Sequence, residues 1–329
     1  MGSLTPRVLT HSIPNITGLI SVTVTEAYNS TMSQAIIECY DTSLSLGDAI
    51  SFNLGYSGDS GKIFTGYVRN MDVSLPTATN RIVCEDELAK ATDFFITSDD
   101  PQEPLSYSNM ETEDIVEDIL LQAQITDFSS NVPLSVTWGT KGELEFNLVT
   151  AWQAADTLVG ALAWHLYANR DGEVNLINRP PYFVGGDTAT FTWNLASEDI
   201  LVLSHTRSTN NLRNRVVVYG IEGVTAVASA VSPYLPGGFY KTAVIASQAI
   251  DSQNQADKTA ENNLELMNRL TENLTIQVEG DYEIQPRLFA TVTVEDTDIG
   301  MDVSGLWFIY QAEHRLDRSG YICNVTLVK

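Results

Sequence analysis

The sequence predicts a mainly β protein with an α/β insert, and three observations carry that prediction. Apolar and polar side chains alternate through residues 18–84 and again through 288–328. Between them the apolar period lengthens to that of a helix. The composition is rich enough for sizeable cores: 329 residues, 43% hydrophobic, with 11 Phe, 13 Tyr and 5 Trp. That length suits two or three domains, and the apolar content excludes global disorder.

In the first region, Ile20, Val22 and Val24 alternate with polar neighbours, as do Ile50, Phe52, Leu54 and Tyr56, then Phe64, Gly66 and Val68. A period of two marks half-buried strands. Asp41 to Gly47 and Ser57 to Gly61 supply the turns. Short strands at this spacing predict a sandwich or small barrel. Glu85 to Phe95 predicts a helical turn or two. Residues 97–110, with Pro101 and Pro104, form a linker.

Beyond the linker, Met110, Ile115, Ile119 and Leu120 recur at helical spacing. Thr112 with Glu113 and Asp114 marks the helix start. Leu144 to Leu148 predicts a strand. Thr150 caps a second helix through Trp152, Ala155, Leu158, Val159, Leu162 and Ala163. Trp164 to Ala168, Asp171-Gly172 and Val174 to Ile177 then form a hairpin. Asn178 to Pro181 ends this unit. Strands return at Thr190–Trp193, Ile200–His205 and Arg215–Tyr219. Residues 221–250, small, apolar and broken by Pro and Gly, predict a long loop or excursion. Residues 251–273 predict a polar helix with one apolar stripe (Ala256, Ala260, Leu264, Met267, Leu270), packed outside a sheet. Strands at Leu288–Val294, Leu306–Glu313 and Tyr321–Val328 finish the chain. Residues 64–86 and 307–326 echo each other: an aromatic opens one strand, and the next carries a central Cys.

The net charge is −24, from 42 acids against 18 bases, and every third of the chain is acidic. This excludes a gripper of nucleic acid, which neutralises phosphates with clustered Lys and Arg, and docking on an anionic membrane. Solubility is its plainest use. Met1-Gly2-Ser3 leads into no long apolar stretch, so no secretory signal is expected, and no window suits a membrane span. The odd cysteine count (Cys39, Cys84, Cys323) without C-x-x-C predicts three small buried hydrophobes in a reducing cytosol.

Chemistry-bearing patterns are sparse. His11, His165, His205 and His314 are far apart in sequence, with no metal-ligand spacing. Neither a G-x-S-x-G, a Walker motif nor a G-x-G-x-x-G before a helix occurs. Gly55 to Gly61 resembles a nucleophile motif only loosely and reads as a hairpin. The acids Glu295, Asp296, Asp298 and Asp302 with Gly300 lack the order of a calcium loop. Glu85-Asp86-Glu87 imitates a glycosidase acid but reads as a helix start. No catalytic, cofactor-binding or metal residue is predicted, and no enzyme.

Several runs in order along the chain carry a resemblance. Phe64-Thr65-Gly66-Tyr67-Val68 comes first. Glu113 to Gln124, Ala151-Trp152-Gln153-Ala154-Ala155 and the Asp171-Gly172 hairpin follow. Then come Asn211 to Gly220, Glu279 to Pro286, Gly305 to His314, and Gly320 to Leu327. In this order they resemble the tail hub, or baseplate hub, proteins of tailed phages, including the late-control-protein-D group, with type VI secretion hubs as relatives. Residues 221–250 depart from the pattern, being longer and more apolar.

The resemblance implies two tail-tube-like β-barrel domains, 1–96 and 181–329, around an inserted α+β domain, 97–180. The second barrel would carry the excursion at 221–250 and the surface helix at 251–273. It implies a homotrimeric ring that adapts a hexameric tail tube to a trimeric central spike. Partners would be the tube and spike proteins, with tape-measure and wedge proteins beside them, in a virion tail assembled in the host cytoplasm. DNA would pass through the lumen unheld, with no cofactor. The alternatives are a tail-tip carbohydrate-binding or adhesion module using Trp138, Tyr182 and Trp193, or the hub of a phage-like injection system. A tail-associated hydrolase has no supporting motif.

Overall fold

A computed structural model of the chain describes residues 8–28, 30–97, 103–132, 136–177, 188–195, 199–268, 271–294 and 303–329. The proline boundary at 178–181, Tyr182, Leu270 and the carboxylates at 295–302 lie outside the described residues.

The alternating run of the first third forms β1 (Leu9–His11), β2 (Ile16–Ala27), β3 (Gln34–Thr42), β4 (Ala49–Tyr56), β5 (Asp59–Ser74) and β6 (Thr79–Glu85), then a short helix α1 (Ala89–Asp93). The middle forms β7 (Leu105–Tyr107), β8 (Met110–Glu111), α2 (Thr112–Gln122), β9 (Phe128–Asn131), β10 (Thr137–Trp138), β11 (Leu144–Phe146), α3 (Ala151–Ala161), β12 (His165–Ala168) and β13 (Val174–Ile177). The rest forms β14 (Phe191–Asn194), β15 (Ile200–Ser208), β16 (Arg215–Tyr219), β17 (Thr225–Ser229), β18 (Thr242–Ala246), α4 (Gln253–Met267), β19 (Thr271–Glu279), β20 (Phe289–Thr293), β21 (Gly305–Asp317) and β22 (Gly320–Val328). The chain is mainly β, with α2 and α3 lying between its β-rich ends.

Twelve strands form one sheet, ordered β1-β4-β5-β6-β3-β2-β21-β22-β19-β15, with β14 beside β20 and β20 beside β21. This order contains a repeat. The series β1-β4-β5-β6-β3-β2 recurs as β14-β20-β21-β22-β19-β15, with the same chain order inside each series. The hairpins β5–β6 and β21–β22, which carry the sequence echo, occupy equivalent places. One difference is that β1 runs antiparallel to β4 whereas β14 runs parallel to β20. The two units join where Ser21–Ala27 of β2 pairs with Gln311–Asp317 of β21.

Among the described strands neither unit closes into a barrel, as the two-barrel expectation would have it. Besides the edge strands β1 and β14, the sheet stays open at two further places. Strand β15 pairs with β19 alone, and the end of β5 beyond Val68 pairs with β6 alone.

Each unit has its own core. One centres on Val22, Val24, Ile37, Phe52 and Phe64, the other on Trp307, Ile309, Leu274 and Val325. Cys39, Cys84 and Cys323 are free and wholly buried in the strands.

The third core differs from the expected segregation. It gathers Ile115, Ile119, Trp138, Leu158 and Leu166 from the middle, and also Val216, Val218, Ala226, Ala256 and Ala260. Residues 221–250 are not one long loop: β17 and β18 flank β16 in a three-stranded sheet. Helix α4 covers one face of that sheet. It ends at Met267 rather than 273, because Thr271 already starts β19. Ser252 and Gln255 form a capping box at its start, as Thr150 and Gln153 do for α3. Thr112 does not cap α2; its hydroxyl donates to Val136 O and accepts from Trp138 Nε1.

Candidate functional site

The β12–β13 turn places one charged side chain where both sheet units meet the α/β core. Asn169 Oδ1 accepts from the backbone of Asp171 and Glu173 at 2.9 and 3.1 Å. Gly172 takes the positive φ (+94°) that the turn requires. Arg170 thereby points inward, its side chain 11% exposed, onto Glu26 of β2, 5% exposed. Its Nε lies 3.1 Å from both Glu26 oxygens, and Nη2 donates to the same carboxylate. Nη2 also donates to Ile284 O at 2.7 Å, and Nη1 donates to Tyr282 O. On the outside of the turn, Thr65 donates to Arg170 O and Lys62 pairs with Asp171.

His314 of β21 lines the same junction. Its Nε2 lies 2.8 Å from Ile284 O and its Nδ1 2.8 Å from Tyr321 Oη. The consistent tautomer is neutral: Nε2–H donates to the carbonyl and the Tyr321 hydroxyl donates to Nδ1. Burial, then the Arg170 charge, pushes its pKa down to about 3. Burial by itself would raise the Glu26 carboxyl; the Arg170 guanidinium reverses this and holds it below its ordinary value. Arg287 is a second buried cation, 3.6 Å from the Tyr167 ring centroid, with Nη1 3.4 Å from His165 Nε2.

These groups satisfy one another; Cys323 Sγ also lies 3.9 Å from His314 Nε2, but both side chains are wholly buried and burial pushes the thiol up, so the pair is a packing contact. His205 lies 3.7 Å from Glu272 and edge-on to Trp307, and His11 sits apart on β1. Among the described residues no three His, Cys, Asp or Glu side chains gather as a metal site. Gly55 to Gly61 is the β4–β5 hairpin. In the run 85–87, Glu85 pairs with Arg69 and Glu87 with Lys90. Asp86 accepts from the backbone of Ser33 and Leu88, with its pKa raised to about 7 by burial. Of the aromatics named for a carbohydrate platform, the two among the described residues are covered: Trp138 is 0% and Trp193 8% exposed.

The surfaces left open are the edges of the sheet. Leu201 and Val202 on β15 are 58% and 57% exposed; Val73 and Leu75 at the end of β5 are 67% and 80% exposed. Large exposed apolar groups beside unpaired backbone mark contact surfaces. Arg170 and these edges were not singled out by sequence, since both depend on distant pairing. No helix of the described residues is long and apolar enough to cross a membrane.

No family model and no curated protein matches the chain. Solved structures do. The tail protein from Neisseria meningitidis MC58 superposes with a TM-score of 0.72 at 13% identity, over 98% of this chain and 97% of that one. The 43 kDa tail protein of prophage MuSo2 from Shewanella oneidensis gives 0.68 at 13% identity, over 98% of each chain. The E. coli c3393 protein, a type VI secretion component described as similar to T4 tail proteins gp27 and gp5, gives 0.59 at 11% identity, over 97% of this chain and 76% of that one. The chain therefore has the fold of these tail and secretion proteins from end to end.

Proposed function

We propose that the chain is a structural hub subunit of a phage tail, forming a homotrimeric ring between tail tube and central spike. The observation that carries the reading is the end-to-end tail-protein fold together with the doubled sheet. Each six-stranded unit serves as one tube-like subunit. Within the chain, β2 of the first unit pairs with the end of β21 in the second. The equivalents of those two strands, β15 and β5, each have an open edge.

Pairing β15 of one copy with the end of β5 of the next repeats the internal join between chains. Such a head-to-tail contact is heterologous and closes a ring when the rotation fits. Three chains present six units to a hexameric tube and three copies to a trimeric spike. The ring carries three times −24, or −72. Acids lining the lumen repel phosphate, so DNA passes on ejection without being held. The likeness to a type VI secretion component supports a second reading, the hub of a phage-like injection system.

Mass photometry with electron microscopy tests the ring. The wild type is expected near three times 36.1 kDa, with ring-shaped particles. Val202→Glu on β15 should give monomers, and Val73→Lys in the same chain should restore rings. A wild-type monomer that binds neither tube nor spike protein would overturn the reading.

A further inference from the structure

A further open edge lies away from the large sheet. Strand β17 pairs with β16 on one side only. Its hydrogen-bonding phase follows from the bonds just beyond its ends: Ala230 N–H donates to Asn214 O, and Gly220 N–H donates to Val224 O. Residues 224, 226, 228 and 230 therefore point their backbone groups at β16, and Thr225, Val227 and Ser229 point theirs outward. Thr225 O is already taken by Gln253 Nε2 of α4 at 3.0 Å. Among the described residues, the outward N–H and C=O of Val227 and Ser229 have no partner.

This edge is one wall of a groove of about 610 Å³. Val227 to Ala230 form that wall, and Glu261, Leu264 and Glu265 of α4 form the other. The wall made by α4 is acidic. Glu261 is 60% exposed although it pairs with Lys258 at 2.8 Å, and Glu265, which also has a partner of its own, adds a second carboxylate. On the other face of the sheet the central row is apolar: Val217 sits between Val227 and Val244, with Val227 56% and Val244 64% exposed. From Gly223 to Ile250 the sequence carries no acid, so the carboxylates come from α4 alone.

We propose that the β17 edge and α4 form a docking groove for an extended, basic segment of a partner protein, which adds as a further strand. Main-chain bonds to Val227 and Ser229 give the pairing. Side chains on one face of the added strand pass Leu264 and meet Glu261 and Glu265, so they are Lys or Arg. Side chains on the other face continue the Val227–Val217–Val244 row, so they are β-branched and apolar. The alternation follows from the strand period of two. The overall acidity of the chain favours the encounter with such a segment.

The test uses hydrogen exchange with mass spectrometry on the whole chain and two synthetic peptides, one alternating Lys and Val, the other Glu and Val. The Lys–Val peptide should slow exchange across residues 225–231, and the Glu–Val peptide should not. Glu261→Gln with Glu265→Gln should weaken Lys–Val binding at least tenfold. Glu261→Lys with Glu265→Lys should reverse the preference. No slowing at 225–231, equal slowing by both peptides, or protection that appears at 242–246 instead would overturn the proposal. The ring test reads a different edge, so the two fail independently.

Discussion

Arg170→Met removes the charge at the junction while keeping most of the side-chain volume. The structure sets the cost. Glu26 is left with its carboxylate buried and no facing guanidinium, and Tyr282 O loses its donor, while Ile284 O keeps His314 Nε2. Breaking a buried ion pair from one side costs about 3–5 kcal/mol. Removing both charges, with Glu26→Met and Arg170→Met together, leaves no orphaned carboxylate, so the double variant should lie within about 1–2 kcal/mol of wild type. Urea unfolding followed by tryptophan fluorescence measures the loss, and hydrogen exchange over residues 165–177 shows whether the β12–β13 hairpin opens first. Separate transitions are expected in a chain of several cores, so each is fitted alone. A single variant within about 1 kcal/mol of wild type, or a double variant as unstable as the single, would show that the junction is not held by this pair.

Two other outcomes follow from the same region. His314 has a folded-state pKa near 3 against an ordinary 6.5, so the unfolded chain takes up its proton first. Its contribution is complete above pH 6.5 and falls by about 1.4 kcal/mol per unit as the pH drops toward 3. Asp86, raised from 3.8 to about 7, has the opposite sign: its contribution is complete below 3.8 and is lost as the pH rises through 7. Between about pH 4 and 6.5 the two contributions oppose each other, so relative to wild type the slope of urea midpoint against pH should shift downward in His314→Gln and upward in Asp86→Asn; unchanged slopes would count against both assignments. Gly280→Ala places a methyl against the Tyr321 ring, which cannot yield because its hydroxyl is held by His314. A loss of about 1–3 kcal/mol is expected, against about 0.5 or less for Gly142→Ala, which meets open space. Thermal melts compare them, and coincident melts would contradict the packing.

Strands and capped helices were legible because their signals are local. Val22 and Val24 face a core and their neighbours do not, and Thr150 with Gln153 or Asp171 with Gly172 say the same thing at every level. Residues 225–229 misled for a physical reason. Thr-Ala-Val-Ala-Ser has small or apolar side chains on both faces, since its outer face is exposed yet uncharged, so alternation disappears. The overlong reading of α4 came from Leu270, which continues the apolar stripe in the sequence beyond Met267, where the helix ends. The likeness of the hairpins β5–β6 and β21–β22 was visible, but the repeated strand order was not, because pairings such as β3 with β6 and β19 with β22 are set by the sheet as a whole. Arg170 looked like a turn residue and nothing more. Its partner Glu26 lies 144 positions away, and no local pattern announces a pair at that distance. The same holds for the open edges of the sheet, which are defined only by which strands remain unpaired.

The shared α/β core has a consequence for how the chain is made. Its two contributions, residues 88–176 and 216–260, are separate excursions from the large sheet, and they are bound by contacts such as Asp251 accepting from the backbone of Thr140 and Lys141 at 2.6 and 3.0 Å. On a ribosome adding roughly 5–20 residues per second, the second excursion emerges on the order of ten seconds after the first. Throughout that interval, the surface of the first that β16 and α4 later cover faces water. The nascent chain therefore passes through a stage with an exposed apolar face awaiting a segment not yet translated, and that is the stage at which a holding chaperone would have most to bind.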